Sequence, residues 1–259
     1  MEDIVPSLLE KIKKDFEKRV ENDSDIIKLN SKIRDGTATL HQTSLYARRL
    51  GDHLSDVLQE NLTEDALPDG RMFYNIADRI VTPLMRQNFD LTNAKAKEVQ
   101  SLIDQKNGIG LNPISAKYPK DRVKQIVDSL TEEDADFEKI QTRMGEPIRN
   151  CSQSFFDDFI QANVDYRARA GFKSYIVRTL VGGACPYCVR LAGTYEYGEE
   201  PKDVYKRHDS CRCTVTYKTE KYRQNVHTKR KTYWVDTPEL VRFSKEKAEE
   251  LQKELLGGK

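Results

Sequence analysis

The chain has 259 residues, enough for one large domain or two smaller ones, and 33% of them are charged. No apolar run approaches the roughly 18 residues needed to span a bilayer, so a membrane partner is not expected and a soluble, helix-rich chain is. The formal net charge of +1 hides an asymmetry, because residues 1–170 carry a net −5 and residues 171–259 a net +6. An acidic part followed by a basic one points to two regions with different partners.

Residues 3–21 place Val5, Leu8, Leu9, Ile12, Phe16 and Val20 at three- and four-residue steps, the period of an amphipathic helix. Asn22-Asp23-Ser24-Asp25 interrupts it. A second helix is expected around 39–60, with Leu50, Leu54, Val57 and Leu58 on one face, before the turn signal Pro68-Asp69-Gly70. A third runs from about 71 to 104 on Phe73, Ile76, Ile80 and Leu84, with Pro83 expected to kink or split it. The segment from Asn107 to Pro113 reads as a loop. Its two glycines make no phosphate cradle, since no Gly-Lys-Ser/Thr follows and no strand precedes. Pro119 starts a short helix carrying Val123, Ile126, Val127 and Leu130.

The strongest periodicity comes next. Thr131-Glu132-Glu133-Asp134 resembles a capping box, and Phe137, Ile140, Met144, Ile148, Cys151, Phe155 and Phe159 then follow at steps of 3, 4, 4, 3, 4 and 4. A helix facing the chain's own core explains this seam better than an intermolecular coiled coil. Gly145 and Pro147 are placed to bend it, and Cys151 reads as a small buried hydrophobe.

After Gly171 the period changes. Ser174 to Val181 is rich in β-branched residues and predicts a strand, from which Gly182-Gly183 turns the chain into Cys185. Thr194–Tyr197 and Thr214–Tyr217 are short strand candidates, and Val226–Val235 is a fourth. Thr237-Pro238-Glu239 predicts the start of a charged helix running to about Leu256. The expected fold is therefore mainly α with a small C-terminal α+β module: a helical region over 1–170, then a cysteine-rich domain with a terminal helix over 171–259.

That module concentrates chemistry. Cys185-Pro186-Tyr187-Cys188 and His208-Asp209-Ser210-Cys211-Arg212-Cys213 bring four of the five cysteines and one of the four histidines into 29 residues. A Cys-x-x-Cys turn aims two sulfurs at one point, and a thiol and imidazole group about twenty residues later can close the shell. Soft thiolates with imidazole suit a structural Zn²⁺. Cys185, Cys188, His208, Cys211 and Cys213 are five candidate ligands for four positions, filled by the four cysteines or by three of them with His208. Two disulfides would require an oxidising compartment, for which no leader pattern is evident. A redox pair at Cys185 and Cys188 would open a helix after a strand, whereas Val189-Arg190-Leu191-Ala192-Gly193-Thr194 soon reaches a glycine. Thiols packed as small core hydrophobes are the remaining alternative.

The same residues carry a resemblance. Cys-x-x-Cys, Leu191-Ala192-Gly193-Thr194 with its Tyr-rich strand, and Arg207 through Val215 with a His-x-x-Cys-x-Cys ending resemble the C-terminal signature of tailed-phage minor head proteins of the Mu F-like head-morphogenesis group. The match covers about 40 residues, and the helices before it only in general character. The resemblance implies a virion protein made in the cytoplasm of a bacterial host, with portal or major capsid protein as partners and no small-molecule substrate. Its role would lie in head assembly or in genome packaging and delivery.

Lys218, Lys221, Arg223, Lys229, Arg230 and Lys231 are six basic residues against one acid, Glu220, with Tyr217, Tyr222, Tyr233 and Trp234 among them. Cations neutralise phosphates and aromatic faces stack on bases, so this stretch is a candidate DNA surface. Lysines guarding an edge strand are the alternative. A zinc-ribbon-like DNA-binding protein, or a phage-borne nuclease with His208 as acid/base and Arg207, Arg212 or His227 as phosphate clamp, is the second functional reading. A host-directed effector using the same module as scaffold is a third. No paired carboxylates or serine elbow accompany these residues, His41 and His53 stand alone on predicted helices, and no catalytic residue is assigned.

Overall fold

The computed structural model describes residues 3–132, 136–183, 185–208, 210–224 and 231–235, the last strand and residues 221–224 by their backbone. Helices α1 (Val5–Asn22), α2 (Ser24–Arg34), α3 (Leu40–Asn61), α4 (Tyr74–Lys106), α5 (Lys120–Leu130), α6 (Phe137–Arg143) and α7 (Glu146–Arg169) come first. They lead into β1 (Lys173–Thr179), the short helix α8 (Pro186–Leu191), β2 (Gly193–Glu196), β3 (Thr214–Gln224) and β4 (Lys231–Val235). Among the described residues no helix is long and apolar enough to cross a membrane.

The helix ends follow local chemistry. Asp23 does not merely interrupt α1: its carboxylate accepts from the backbone N–H of Asp25 at 2.8 Å and of Ile26 at 3.0 Å, capping α2. Thr39 and Gln42 form a reciprocal capping box at the start of α3. Pro83 does not split α4, which runs unbroken for 33 residues. Phe73, expected on its apolar stripe, is instead the N-terminal flanking residue and is exposed, while Ile76, Ile80 and Leu84 are buried.

The predicted seam is buried from Ile140 to Phe159, but two helices share it. Asp136, rather than Thr131, caps α6 by accepting from Lys139 N at 2.8 Å; Thr131 ends α5, and its hydroxyl donates back to Val127 O and Asp128 O. The break at Met144-Gly145 is held from α3. Ser55 Oγ donates to Met144 O at 2.9 Å, and the side chains of Gln59 and Gln141 each donate to the other's backbone carbonyl.

The loop between α4 and α5 packs under two buried asparagines. Asn93 Oδ1 accepts from Ala116 N, and Asn163 both accepts from Ile114 N at 2.9 Å and donates to Ile114 O at 2.8 Å.

The sheet is antiparallel throughout, in the order β2-β1-β3-β4. Pairing of Ile176 with Tyr217 and of Arg178 with Val215 puts all four side chains on one face, in line with the alternation of strands. Ile176, Val215 and Tyr217 join the same apolar core as α3, α4 and α7, so burial is continuous across residue 170. A buried ion pair, Arg167 with Asp104, lies beneath the sheet, with the Arg167 guanidinium 5.3 Å from the centre of the Tyr217 ring. His41 and His53 have partners: His41 Nδ1 lies 3.2 Å from Thr214 Oγ1, and His53 Nε2 lies 2.7 Å from Asp23 Oδ2. The expected strand residues 226–230 and the helix predicted from Thr237 lie outside the described residues.

Candidate metal centre

Three segments meet at the end of β1. The first is β1 itself, which delivers Arg178. The second is α8, whose N-cap is Cys185: its Sγ accepts from Cys188 N at 3.5 Å, and one helical turn carries Cys188 back beside it. A helix thus opens at the Cys-x-x-Cys after a strand, contrary to the sequence reading, because Pro186 favours the first helical position and glycine arrives only after a full turn. The third segment is the stretch from Val204 to Cys213. Within it Cys211 N donates to His208 O at 3.1 Å, closing a tight turn with Ser210 at φ 59°. That left-handed conformation is unusual for a residue with a side chain, and Glu146, in the first turn of α7, holds it by accepting from Ser210 N at 3.0 Å.

The five predicted ligands are brought together. His208 Nε2 lies 3.1 Å from Cys185 Sγ and 3.0 Å from Cys188 Sγ, and Cys188 Sγ lies 3.6 Å from Cys211 Sγ. Two groups of donors form, Cys185 with Cys188 and His208, and Cys188 with Cys211 and Cys213, so that Cys188 is common to both. Within each group the donor atoms lie within 4.8 Å of one another, and such a set can hold a metal ion. Cys188, Cys211 and Cys213 are buried, while Cys185 and His208 are half-buried. Tyr187 covers the imidazole edge-on, its ring centre 5.8 Å away.

All five cysteines are free thiols. The 3.6 Å between Cys188 and Cys211 is far beyond the roughly 2.05 Å of a disulfide. Cys151 is buried on α7 in the main core, away from this cluster, and burial pushes its thiol up to about 12. Cys211 and Cys213 titrate as a pair. The hydrogen bond between them, aided by the Arg207 charge, holds Cys211 below the thiol range, while the same bond and burial push Cys213 above it.

Two buried arginines, Arg207 and Arg178, flank the thiols. Arg207 does not point outward as a phosphate clamp. Its Nη2 donates to Asp157 Oδ1 of α7 at 2.8 Å and its Nη1 to Cys213 O at 2.8 Å. Arg178 donates to Val204 O and to Lys206 O, and its Nη2 lies 3.7 Å from Cys188 Sγ and 3.8 Å from Cys211 Sγ. Arg178 sits in what read as a plain β-branched strand. Only its place at the buried end of that strand, next to Gly182-Gly183 and the Cys-x-x-Cys, hinted at it.

The basic stretch is only partly seen. Lys218 is half-buried on β3, its Nζ 5.0 Å from the centre of the Tyr175 ring. Lys221 and Arg223 on β3 and Lys231 on β4 are described by backbone alone, while Lys229, Arg230 and His227 lie outside the described residues. No protein-family model, curated protein or solved structure matches the chain.

Proposed function

We propose that this chain is a minor head protein of a tailed phage, of the Mu F-like head-morphogenesis kind, and that its cysteine–histidine cluster holds a structural Zn²⁺. One observation carries the reading. The cysteines and histidine of the resemblance, Cys185, Cys188, His208, Cys211 and Cys213, lie close together in two donor groups that share Cys188, instead of being scattered along the chain. Thiolate and imidazole donors of this kind match the ligands of structural zinc sites. In this reading Zn²⁺ ties β1, α8 and the 204–213 segment together and does no chemistry. The helical region contacts portal or major capsid protein, and the stretch from Lys218 to Lys231 faces DNA or an acidic partner. The protein is made in the host cytoplasm and ends in the virion, acting in head assembly or in genome packaging and delivery.

No observation favours the nuclease reading. His208 Nε2 is directed at two sulfurs, and of the three clamp candidates Arg207 is committed to Asp157, Arg212 is exposed and His227 lies outside the described residues.

Two experiments test the proposal. Metal analysis by plasma mass spectrometry, on protein purified without a metal-affinity step, is expected to find about one zinc per chain. Tagged protein co-expressed with the portal and capsid proteins of the encoding phage or prophage is expected to sediment with assembled heads. Heads that assemble, fill and infect normally without it would remove the morphogenesis reading.

A further inference from the structure

Arg178 presents a charge problem. Its guanidinium is buried, with the whole residue 1% exposed, and guanidinium does not lose its proton in a protein. Its hydrogen-bond partners are two neutral backbone carbonyls, Val204 O and Lys206 O, and two sulfurs, Cys188 Sγ and Cys211 Sγ. The other buried arginine of the centre, Arg207, is matched by its own carboxylate, Asp157. A buried charge must be compensated locally; the Asp157 carboxylate also feels the Arg178 charge but is ion-paired to Arg207, which leaves the sulfurs as the groups in contact with Arg178 that can do so.

This charge discriminates between the ligand sets. A divalent ion with four thiolates carries −2, so Arg178 would leave a net −1 in a partly buried centre. A divalent ion with three thiolates and a neutral imidazole carries −1, which Arg178 cancels. Geometry supports His208 as a ligand, and Cys211, which groups with Cys188 and Cys213, has to close up on Cys185 and His208 when the ion binds. His208 Nε2 stands 3.0 Å and 3.1 Å from the two Cys-x-x-Cys sulfurs, so an ion bound to both sulfurs meets the imidazole nitrogen first. Zn–S bonds of about 2.3 Å at tetrahedral angles put sulfurs about 3.8 Å apart, and Cys188 and Cys211 are already 3.6 Å apart.

We infer that the metal is held by Cys185, Cys188, His208 and Cys211, that Arg178 neutralises the centre from outside the coordination sphere through the sulfurs of Cys188 and Cys211, and that Cys213 is not a ligand. The inference rests on the metal reading above and narrows it. Arg178 is a positioning residue: it tunes the affinity of a site it does not ligate, as hydrogen-bonding partners of metal ligands do elsewhere.

The test is cobalt substitution of the full chain. The near-ultraviolet charge-transfer band of Co²⁺ scales with the number of bound thiolates. The wild type is expected to show three-thiolate intensity, Cys213→Ser to keep it with one ion per chain, and Cys211→Ser to lose about a third. Competition with a chelator is expected to show Arg178→Met binding Co²⁺ about 10- to 100-fold more weakly, with Arg178→Lys recovering much of the loss because it keeps the charge. Four-thiolate intensity in the wild type, or loss of intensity in Cys213→Ser but not in Cys211→Ser, overturns this ligand set while leaving the metal reading intact. Unchanged affinity in Arg178→Met overturns the role of Arg178. A wild-type chain that takes up no metal overturns the metal reading and this inference together. Should Arg178→Met fail to fold, the two serine variants still decide the ligand set.

Discussion

Arg207 Nη2 donates to Asp157 Oδ1 across 2.8 Å, with side-chain exposures of only 5% and 2%. The pair joins the middle of α7 to the segment that carries His208 and Cys211, so the cysteine–histidine cluster is fixed to the helical core by charge as well as by apolar packing. Removing one partner leaves an uncompensated buried ion, a change that typically costs about 3–5 kcal/mol. Asp157→Ala is therefore expected to lower the urea midpoint sharply. The double change Asp157→Leu with Arg207→Met, which removes both charges and keeps apolar bulk, is expected to recover much of that loss. A single variant as stable as the wild type would show that the pair does not hold the two segments together.

Cys188 belongs to both donor groups, and Cys151 to neither. Cys188→Ser is expected to abolish metal retention and to lower the melting temperature to that of chelator-treated wild type, because binding energy at a structural site is folding energy. Cys151→Ser is expected to keep full metal content. The buried Cys151 thiol, pushed up to about 12, is expected to resist alkylation in the folded protein, since the thiolate is the nucleophile. Mass spectrometry after brief native alkylation reads both outcomes. Rapid labelling of Cys151 would contradict its burial.

The parts legible from sequence were those encoded by spacing. The seam from Ile140 to Phe159 announced its buried face by period alone, and the clustering of Cys185, Cys188, His208, Cys211 and Cys213 announced that these donors gather. What periodicity could not register was polar chemistry acting at a distance. The split at Met144-Gly145 depends on Ser55 and Gln59, far away on α3. The helix α2 was hidden because Asp23, which looks like a breaker, is its cap. Arg178 and Asp157 looked like ordinary charged residues on a strand and a helix. Their burial exists only once the sheet is seated on α7, and no local pattern records that.

Asp23 makes a pH prediction. Burial pushes its carboxyl up, but bonds from the Ile26 N–H, His53 and the Asp25 N–H, with the Arg49 charge, outweigh burial and hold it below the usual carboxylate range. A folded value below the unfolded one, about 3.9, means the stabilisation is complete above that pH and is lost as pH falls through the folded value. The junction of α1 and α2 is expected to loosen in that acid range. Asp23→Ala should remove this part of the acid dependence and cost about 1 kcal/mol at neutral pH as a lost cap. Urea titrations of both proteins at neutral and acid pH provide the comparison, and identical pH profiles would refute the assignment.

Asn163 answers two backbone groups of the loop between α4 and α5, Ile114 N and Ile114 O. Asn163→Ala removes both bonds; Ile114 itself is exposed, so water answers part of the loss and the cost is expected at the lower end of the range of about 1–3 kcal/mol typical of a buried unsatisfied group. Amide exchange by mass spectrometry should report it as faster exchange in peptides covering 107–119, with α3 and the sheet little changed. Asn93→Ala, which strands Ala116 N alone, should have the smaller effect on the same peptides.

Gly51 on α3 lies close against α7. A Cβ added there would meet Ser152 Cβ at 2.8 Å and Arg149 O at 3.1 Å. One of these neighbours is backbone and cannot rotate away, so Gly51→Ala must push α3 and α7 apart along their most extensive contact. Overpacking of this kind costs about 1–3 kcal/mol, against which the gain in helix propensity from Gly to Ala, about 1 kcal/mol, is a partial offset. A lower urea midpoint is therefore expected for Gly51→Ala. Adding Ser152→Gly should relieve only part of the strain. The Arg149 carbonyl remains in place, and the hydroxyl that accepts from Asn88 Nδ2 at 2.9 Å is lost. A Gly51→Ala chain more stable than the wild type would mean that the propensity term wins and that α3 and α7 separate without loss.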